Sequence, residues 1–277
     1  MAYAVMHPAQ DSPSAAAMSA FLAVEAQQHP ADVPQTGVAV AAVGRVAEKV
    51  MRELADSLTD RGLLVAGTKT SPDPDDLLSD PTWHLAAVVS PYKLDIAAAC
   101  TRLGPRALQT QVVDTLVRRS GELVGFNVNS FAIQAACTPW SRMSPSRIVV
   151  VGTGATARSA FVGLAAVWPQ ADIGVAGRDL SRAASLTQQV GIGRVIEDID
   201  EFSPVLVVHT TTVGECDDRQ ILEIPMELSP EMVLLDLNSR LTALQRQALA
   251  AGCLTMGGTY VQVLTNLMRG ALFSRAG

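Results

Sequence analysis

The sequence predicts an α/β protein in two parts: an α/β domain at the front, and behind it a doubly wound domain on a parallel sheet. Three observations carry this. Between residues 147 and 256, short apolar runs alternate with helix-period segments, the pattern of strands joined by helical crossovers. The first run, residues 148–151, leads straight into Gly152-Thr153-Gly154-Ala155-Thr156-Ala157, a G-x-G-x-x-A turn before a helix. The front half has strands and helices of its own, and Pro139 and Pro145 bracket a linker between the two parts.

Along the front half, residues 3–6 read as a short strand that breaks at His7-Pro8. Asp11, Ser12 and Ser14 precede an Ala-rich helix over about 15–28, where a serine is ordinarily a cap. Residues 37–43 are apolar and of strand length. Val46, Val50, Leu54 and Leu58 mark one face of a helix. Residues 71–76, rich in Pro and Asp, read as a surface loop. A buried strand over 85–89 ends at Ser90-Pro91-Tyr92-Lys93, and residues 94–101 read as helix. Residues 112–117 and 122–126 form a hairpin about Ser120-Gly121. Asn127-Val128-Asn129-Ser130 ends it, and a helix follows from Phe131.

In the back half, the 148–151 strand, its glycine-rich turn, a helix with Ala160, Phe161, Leu164 and Val167 on one side, and a second strand over 173–176 fill one βαβ unit. Further strands are expected at 205–208, 232–236 and 253–256, with a helix over 241–250 and a terminal helix over 260–274. The turn has a specific physical reading. Gly152 permits the tight turn, Gly154 lets the backbone approach a pyrophosphate, and Ala157 keeps the helix close to the strand. The helix N-terminus, at Ala155 and Thr156, then offers free N–H groups to phosphate. This is the fingerprint of a Rossmann-type dinucleotide domain. The second strand ends in Gly177-Arg178, with Arg182 one helical turn on, where NAD binders place an acidic residue. Two guanidiniums suit a 2′-phosphate, so NADP is the expected cofactor. Asp179 stands between them and is expected to cap the next helix. The alternative is that Arg178 and Arg182 are solvated surface charges.

A hydrophobic content of 48% makes the chain globular and not disordered. A net charge of −6 and only 4% aromatics argue against nucleic acid as a partner. Cys100, Cys137, Cys216 and Cys253 are widely spaced, which reads as reduced structural thiols of a cytoplasmic protein. No signal peptide or spanning segment is read, and the four histidines have no metal-ligand spacing, so no metal is expected.

Taken as an ordered set, these motifs resemble the shikimate dehydrogenase family. The family's S-x-S is matched by Ser12 and Ser14, and its N-V-T-(I/V)-P-(Y/H)-K by Ala87-Val88-Val89-Ser90-Pro91-Tyr92-Lys93. N-T-L-V-R is matched by Asp114-Thr115-Leu116-Val117-Arg118, and G-x-N-T-D by Gly125-Phe126-Asn127-Val128-Asn129. After the glycine-rich turn, N-R-(T/S) falls on Gly177-Arg178-Asp179 and N-x-T-x-x-G on His209-Thr210-Thr211-Thr212-Val213-Gly214. The terminal G-x-x-M-L falls on Gly257-Gly258-Thr259-Tyr260-Val261. The resemblance implies a substrate domain over residues 1–130, completed by the terminal helix 258–277, an NADP domain over 131–257, and catalysis in the cleft. It implies Lys93 as the catalytic lysine, with Asp114 and Asn129 beside it. It places Ser12, Ser14, Val89, Asn127, Tyr260 and Gln262 at the substrate. Gly152, Thr153, Gly154, Ala155, Thr156, Arg178, Arg182, Thr211 and Gly258 fall to the cofactor.

Several family positions differ. The substrate-facing Thr is Val89, its neighbouring Asn is Ala87, the aspartate of the catalytic pair is Asn129, and the Asn of N-T-L-V is Asp114. The terminal glutamine position holds Leu264, with Gln262 and Asn266 nearby. A pocket that has lost hydroxyl-reading groups selects a different ligand. The expected activity is an NADP-dependent dehydrogenase or reductase acting on a small, cyclic carboxylate, in a monomer or homodimer. A catalytically inactive NADP-binding relative, and a lyase or cyclase using nicotinamide transiently, are the alternatives.

Overall fold

The computed structural model describes residues 13–26, 34–119, 121–214, 222, 224 and 226–273. The expected strand at 3–6 therefore lies outside the described residues, as does Ser12. The chain divides into two compact units. The first is Ala16–Phe131 with Leu264–Gly277, and the second is Ala132–Val263 with Met1–Ala15.

The first unit is built on a mixed sheet. Helix α1 (Pro13–Phe21) runs into a single wide turn, Leu22–Ala26. Strand β1 (Val38–Val43) is followed by α2 (Ala47–Asp60), β2 (Val65–Ser71), α3 (Pro74–Ser79), β3 (Leu85–Val88), β4 (Arg102–Leu103), α4 (Pro105–Thr110), β5 (Thr115–Arg119), β6 (Glu122–Phe126) and α5 (Val128–Cys137). The sheet order is β2-β1-β3-β5-β6-β4. β1 pairs parallel with β2 and β3, whereas β3–β5 and β5–β6 are antiparallel. β1 and β3, central and covered on both faces, read as unbroken apolar runs for that reason. α2 buries Val50, Leu54 and Leu58 of the face its spacing predicts, with Ala47 in place of Val46, which stands before the helix as its N-cap and is exposed.

Sequence and structure differ at several places. The stretch read as a loop at 71–76 contains the end of β2 and the start of α3. Asp73 N-caps α3 by accepting from the backbone N of Asp76, and Pro74 opens the helix, so the Pro and Asp signals mark a helix start. β2 is an exposed edge strand, polar along Thr68, Lys69 and Thr70, without the apolar alternation that identifies a strand. The helix expected over 94–101 is only a 3₁₀ turn, Asp95–Ala99.

The second unit is a wholly parallel sheet. Its elements are β7 (Arg147–Val151), α6 (Ala155–Val167), β8 (Asp172–Ala176), α7 (Leu180–Val190), β9 (Arg194–Val195), α8 (Ile199–Phe202), β10 (Leu206–His209), β11 (Val233–Asp236), α9 (Ala243–Ala250) and β12 (Leu254–Gly257). Helix α10 (Gly258–Ala271) follows. The order β12-β11-β10-β7-β8-β9 reverses at β7, whose neighbours are β8 on one side and β10 on the other. This is the doubly wound arrangement the alternating pattern predicts. Cys100, Cys137 and Cys253 are free thiols. Burial pushes Cys137 up to about 12, leaving it protonated and inert.

One buried carboxylate ties the chain near α1 to α4. Glu25 is fully buried, and its Oε1 accepts from the backbone N of Arg106, capping a helix whose own N-cap, Gly104, has no side chain. A Cβ at Gly104 would stand 1.9 Å from Glu25 Oε2, so the glycine gives this carboxyl group its room at the helix start. Burial, with that oxygen left unpartnered, raises the Glu25 pKa to about 7 against the lowering effect of the Arg106 backbone hydrogen bond and charge. A raised carboxyl pKa means that the folded state holds the proton more tightly. Its contribution is therefore complete below pH 4.5 and lost as pH rises through 7. The change is about 3 kcal/mol by the free-energy equivalent of the shift. Thermal unfolding of the parent should show this decline between pH 4.5 and 7, and Glu25→Gln should remove it; parallel pH profiles for the two proteins would refute the assignment.

Candidate active site

In the first unit, the C-terminal end of β3, the segment entering β5 and the start of α5 come together. The peptide Ser90-Pro91 is cis. Lys93 is buried, and its carbonyl accepts from the backbone N of Val113 at 2.8 Å. The next residue, Asp114, has its carbonyl bonded by Val88 N and its N–H by Phe126 O. Lys93 is thus fixed by its backbone beside the residue preceding Asp114. Val89 and Tyr92 are half-buried on the same turn, and a Cβ at Gly44 would lie 2.5 Å from the Val89 carbonyl.

Asp114 is fully buried, and its carboxylate faces the N-terminus of α5. Oδ1 accepts from the Thr115 hydroxyl (2.7 Å) and Val128 N (3.1 Å), and Oδ2 accepts from Asn129 N (2.7 Å). The Arg269 guanidinium lies 4.0 Å from Oδ1 and donates to the Asp114 carbonyl, to Thr115 Oγ1 and to Asn266 Oδ1. Burial lowers the Arg269 pKa, and the Asp114 charge opposes that. Asn129, half-buried, accepts at Oδ1 from the Thr265 hydroxyl. Asn127 is buried as the cap of α5: its Oδ1 accepts from Ser130 N and its Nδ2 donates to Thr110. That amide, expected at the substrate, is engaged inside the unit. Arg106 stacks over Phe131 at 3.5 Å and donates to Ser130. Ser14 lies in α1, and Tyr260 and Gln262 are half-buried on α10.

In the second unit, the glycine-rich turn has the geometry its motif demands. Gly152 has φ +124°, and a Cβ there would collide with Thr210 Oγ1 at 2.4 Å. Both conformation and space exclude any other residue. Gly154 is the N-cap of α6 without a side-chain cap, and nothing stands within 4 Å of where its Cβ would be. Thr153, Ala155 and Thr156 are half-buried around it, and Ala157 is fully buried against the sheet. The first N–H groups of a 13-residue helix are therefore left without a side-chain cap at the strand-order reversal, which is the donor set a pyrophosphate would need. Arg178 and Arg182 are exposed beyond β8. Asp179 caps α7 by accepting from Ser181 N and Arg182 N, as expected, and lies 3.4 Å from Arg182 Nε. Gly258 is buried where α10 starts, so close to Leu237 that a Cβ would stand 2.3 Å from its carbonyl. Thr211 follows β10, next to the Gly152 turn.

Sequence reasoning missed Arg269, Glu25 and Arg106, which look like surface charges in a helix-period text. It also missed the partners of His209. The available signal was that two buried apolar strands, Leu206–His209 and Val233–Asp236, each close on a titratable residue.

Fold and site together define an α/β protein with a mixed-sheet unit and a Rossmann-type parallel-sheet unit. In sequence and fold, the chain resembles the shikimate dehydrogenase family as a divergent relative. It is 26% identical over 138 residues to a shikimate dehydrogenase (NADP(+)) of Exiguobacterium sp., across 50% of this chain and 51% of that protein. The aligned chain spans about half the length of that curated relative. The shikimate 5-dehydrogenase of Thermus thermophilus, solved with NADP(H) and shikimate, shares the fold with a TM-score of 0.71 and 21% identity, over 84% of this chain and 91% of that one. A quinate dehydrogenase of Corynebacterium glutamicum, solved with NAD, does so with a TM-score of 0.70 and 18% identity, over 85% and 93%. No protein-family model matches the chain. Among the described residues, no helix is long and apolar enough to cross a membrane.

Asp114→Asn should destabilise the protein by roughly 1–3 kcal/mol, because one buried N–H of α5 loses its acceptor. Urea unfolding measures this, and an unchanged midpoint would show that the cap contributes nothing.

Proposed function

We propose that the protein is an NADP(H)-dependent oxidoreductase acting on the keto or hydroxyl group of a small, cyclic carboxylate. The observation that carries this reading is the uncapped α6 N-terminus behind Gly152 and Gly154, at the reversal of a parallel sheet. Resemblance to NADP(+)-dependent relatives supports it. Gly152, Thr153, Gly154, Ala155 and Thr156 would hold the pyrophosphate. Arg178 and Arg182 would hold the 2′-phosphate, with Thr211 and Gly258 towards the nicotinamide. Reduced nicotinamide, when bound, supplies the hydride. Lys93 gives a proton to the substrate oxygen as the carbonyl carbon becomes an alcohol carbon, and takes it back in the reverse direction. Asp114, next to the backbone partner of Lys93, would stand with it in the catalytic group, and Asn129 would stand where the family has its aspartate. Ser12 and Ser14 would hold the carboxylate, with Val89, Tyr260 and Gln262 shaping the rest of the substrate site. Because Val89 and Ala87 replace polar groups, the substrate differs from shikimate.

A second reading, a catalytically silent NADP-binding protein, is favoured by one observation. The Asp114 oxygens already accept from Thr115, Val128 and Asn129. NADPH oxidation across a panel of cyclic keto acids separates the two readings, since turnover with any of them excludes the silent one.

Lys93→Ala should abolish turnover and leave NADPH affinity unchanged; substantial turnover in that variant would remove Lys93 from the mechanism. NADPH should bind more tightly than NADH, and Arg178→Ala should weaken NADPH about tenfold or more by loss of a charge-assisted phosphate contact, with NADH nearly unaffected. Equal binding of the two dinucleotides by the parent protein would rule out the preference.

A further inference from the structure

Strands β10 and β11 end side by side in His209 and Asp236, which are 1% and 0% exposed. Asp236 gathers donors. Its Oδ1 faces His209 Nδ1, Asn238 N and Asn238 Nδ2, each at 3.0 Å, and its Oδ2 accepts from the Thr242 hydroxyl. Thr242 in turn accepts from Gln245 N in the first turn of α9. Burial alone would raise the Asp236 pKa, but the hydrogen bonds it accepts from His209, Thr242 and Asn238 lower it on balance. An ionised carboxylate only accepts. The amide of Asn238 has two hydrogens, and these go to Asp236 Oδ1 and to the Val213 carbonyl at 3.2 Å. Its 3.3 Å approach to His209 Nδ1 therefore carries no hydrogen. The hydrogen between His209 and Asp236 belongs to Nδ1.

This fixes the other side of the ring. His209 Nε2 lies 2.6 Å from Thr211 Oγ1. In a neutral imidazole with hydrogen on Nδ1, Nε2 accepts, so the Thr211 hydroxyl donates to it. Thr211 Oγ1 also accepts from Val213 N at 3.2 Å. A hydroxyl has one hydrogen and two lone pairs. The hydrogen and one lone pair are engaged, and the remaining lone pair can only accept.

Thr211 sits where that polarity matters. In register, His209 pairs with Val151, the last residue before Gly152, and Thr211 Cγ2 lies 3.1 Å from where a Cβ on Gly152 would be. Arg178 follows β8, on the opposite side of β7. A dinucleotide crossing such a sheet sends one nucleotide to each side of the reversal. With the adenosine half towards Arg178, the β10 side receives the nicotinamide half.

We infer that the Asp236–His209 pair sets Thr211 as an obligate hydrogen-bond acceptor, so that this position selects a donor group of the nicotinamide nucleoside, its carboxamide NH₂ or a ribose hydroxyl, and disfavours phosphate oxygen. His209 is here a positioning residue acting through Thr211. The ligand in this inference rests on the proposed NADP function; the relay rests on the hydrogen bonds alone.

The first test uses the protein without cofactor. Long-range ¹H–¹⁵N correlation at pH 8 should show His209 protonated on Nδ1 and unprotonated on Nε2. A hydrogen on Nε2, in either the other tautomer or the imidazolium, overturns the relay. The second test is NADPH affinity. Thr211→Val should weaken binding about tenfold, the size of one hydrogen bond, and Thr211→Ser should restore it; parent-like affinity in Thr211→Val overturns the contact. The third compares NADP with its 3-acetylpyridine analogue, which keeps the carbonyl and lacks the NH₂. If the parent discriminates and Thr211→Val does not, the donor is the carboxamide. If both proteins treat the two alike while Thr211→Val binds each more weakly, the donor is a ribose hydroxyl. A parent protein that binds no dinucleotide overturns the ligand assignment along with the proposed function, and the spectrum then decides the relay by itself.

Discussion

A carboxylate with no access to water organises the first unit. Burying an ionised Asp114 costs several kcal/mol unless its oxygens are satisfied. Backbone N–H groups at the α5 N-terminus, the Thr115 hydroxyl and the Arg269 guanidinium do this. Those donors come from the β5 start, the α5 start and the last turn of α10. Meeting one charge therefore brings separate parts of the chain to one point. Lys93 inherits its position from this, because its carbonyl is held by the residue before Asp114. The same helix start is capped a second time by Asn127, so the peptide Asn127–Asn129 is held by side chains from within and from across the sheet.

The second unit meets the same physical problem with a different solution. Its strand ends leave a histidine and an aspartate buried as neighbours, and Asn238, Thr242 and Thr211 complete their hydrogen bonds. The motif N-x-T-x-x-G that this stretch resembles opens on an asparagine, where this chain has His209. An amide offers a donor and an acceptor together, whereas an imidazole held by a carboxylate offers one or the other. The replacement therefore narrows what the adjacent threonine can do.

How much of this was legible in the sequence follows from where each signal resides. The glycine-rich turn, the hairpin of β5 and β6 and the Asp179 cap rest on local backbone requirements, which neighbouring residues declare. The parallel sheet was legible because strands covered on both faces must be apolar throughout. β2 was not, since an exposed edge needs no apolar alternation, and α3 was read as loop because its Pro and Asp signals serve turns and helix starts alike. The strand expected to start at residue 112 begins at Thr115, although Asp114 already bonds Phe126. Lys93, Asp114 and Asn129 could be named from the sequence, but the direction of the Asp114 carboxylate could not. It depends on Arg269, 155 residues further on, whose type and spacing suggest only a solvated charge.

The first unit is interrupted in sequence: its last piece, Leu264–Gly277, follows the whole of the stretch Ala132–Val263. Arg269, which helps to neutralise Asp114, belongs to that last piece. On a ribosome the chain emerges from its N-terminus, so the parallel sheet is complete before Arg269 exists outside the tunnel. The mixed sheet can form its local β5–β6 hairpin early, but Asp114 must wait for its guanidinium until residue 269 has been made. The order of translation thus makes the dinucleotide-type sheet the first part able to finish folding, and leaves the Lys93 region to close last.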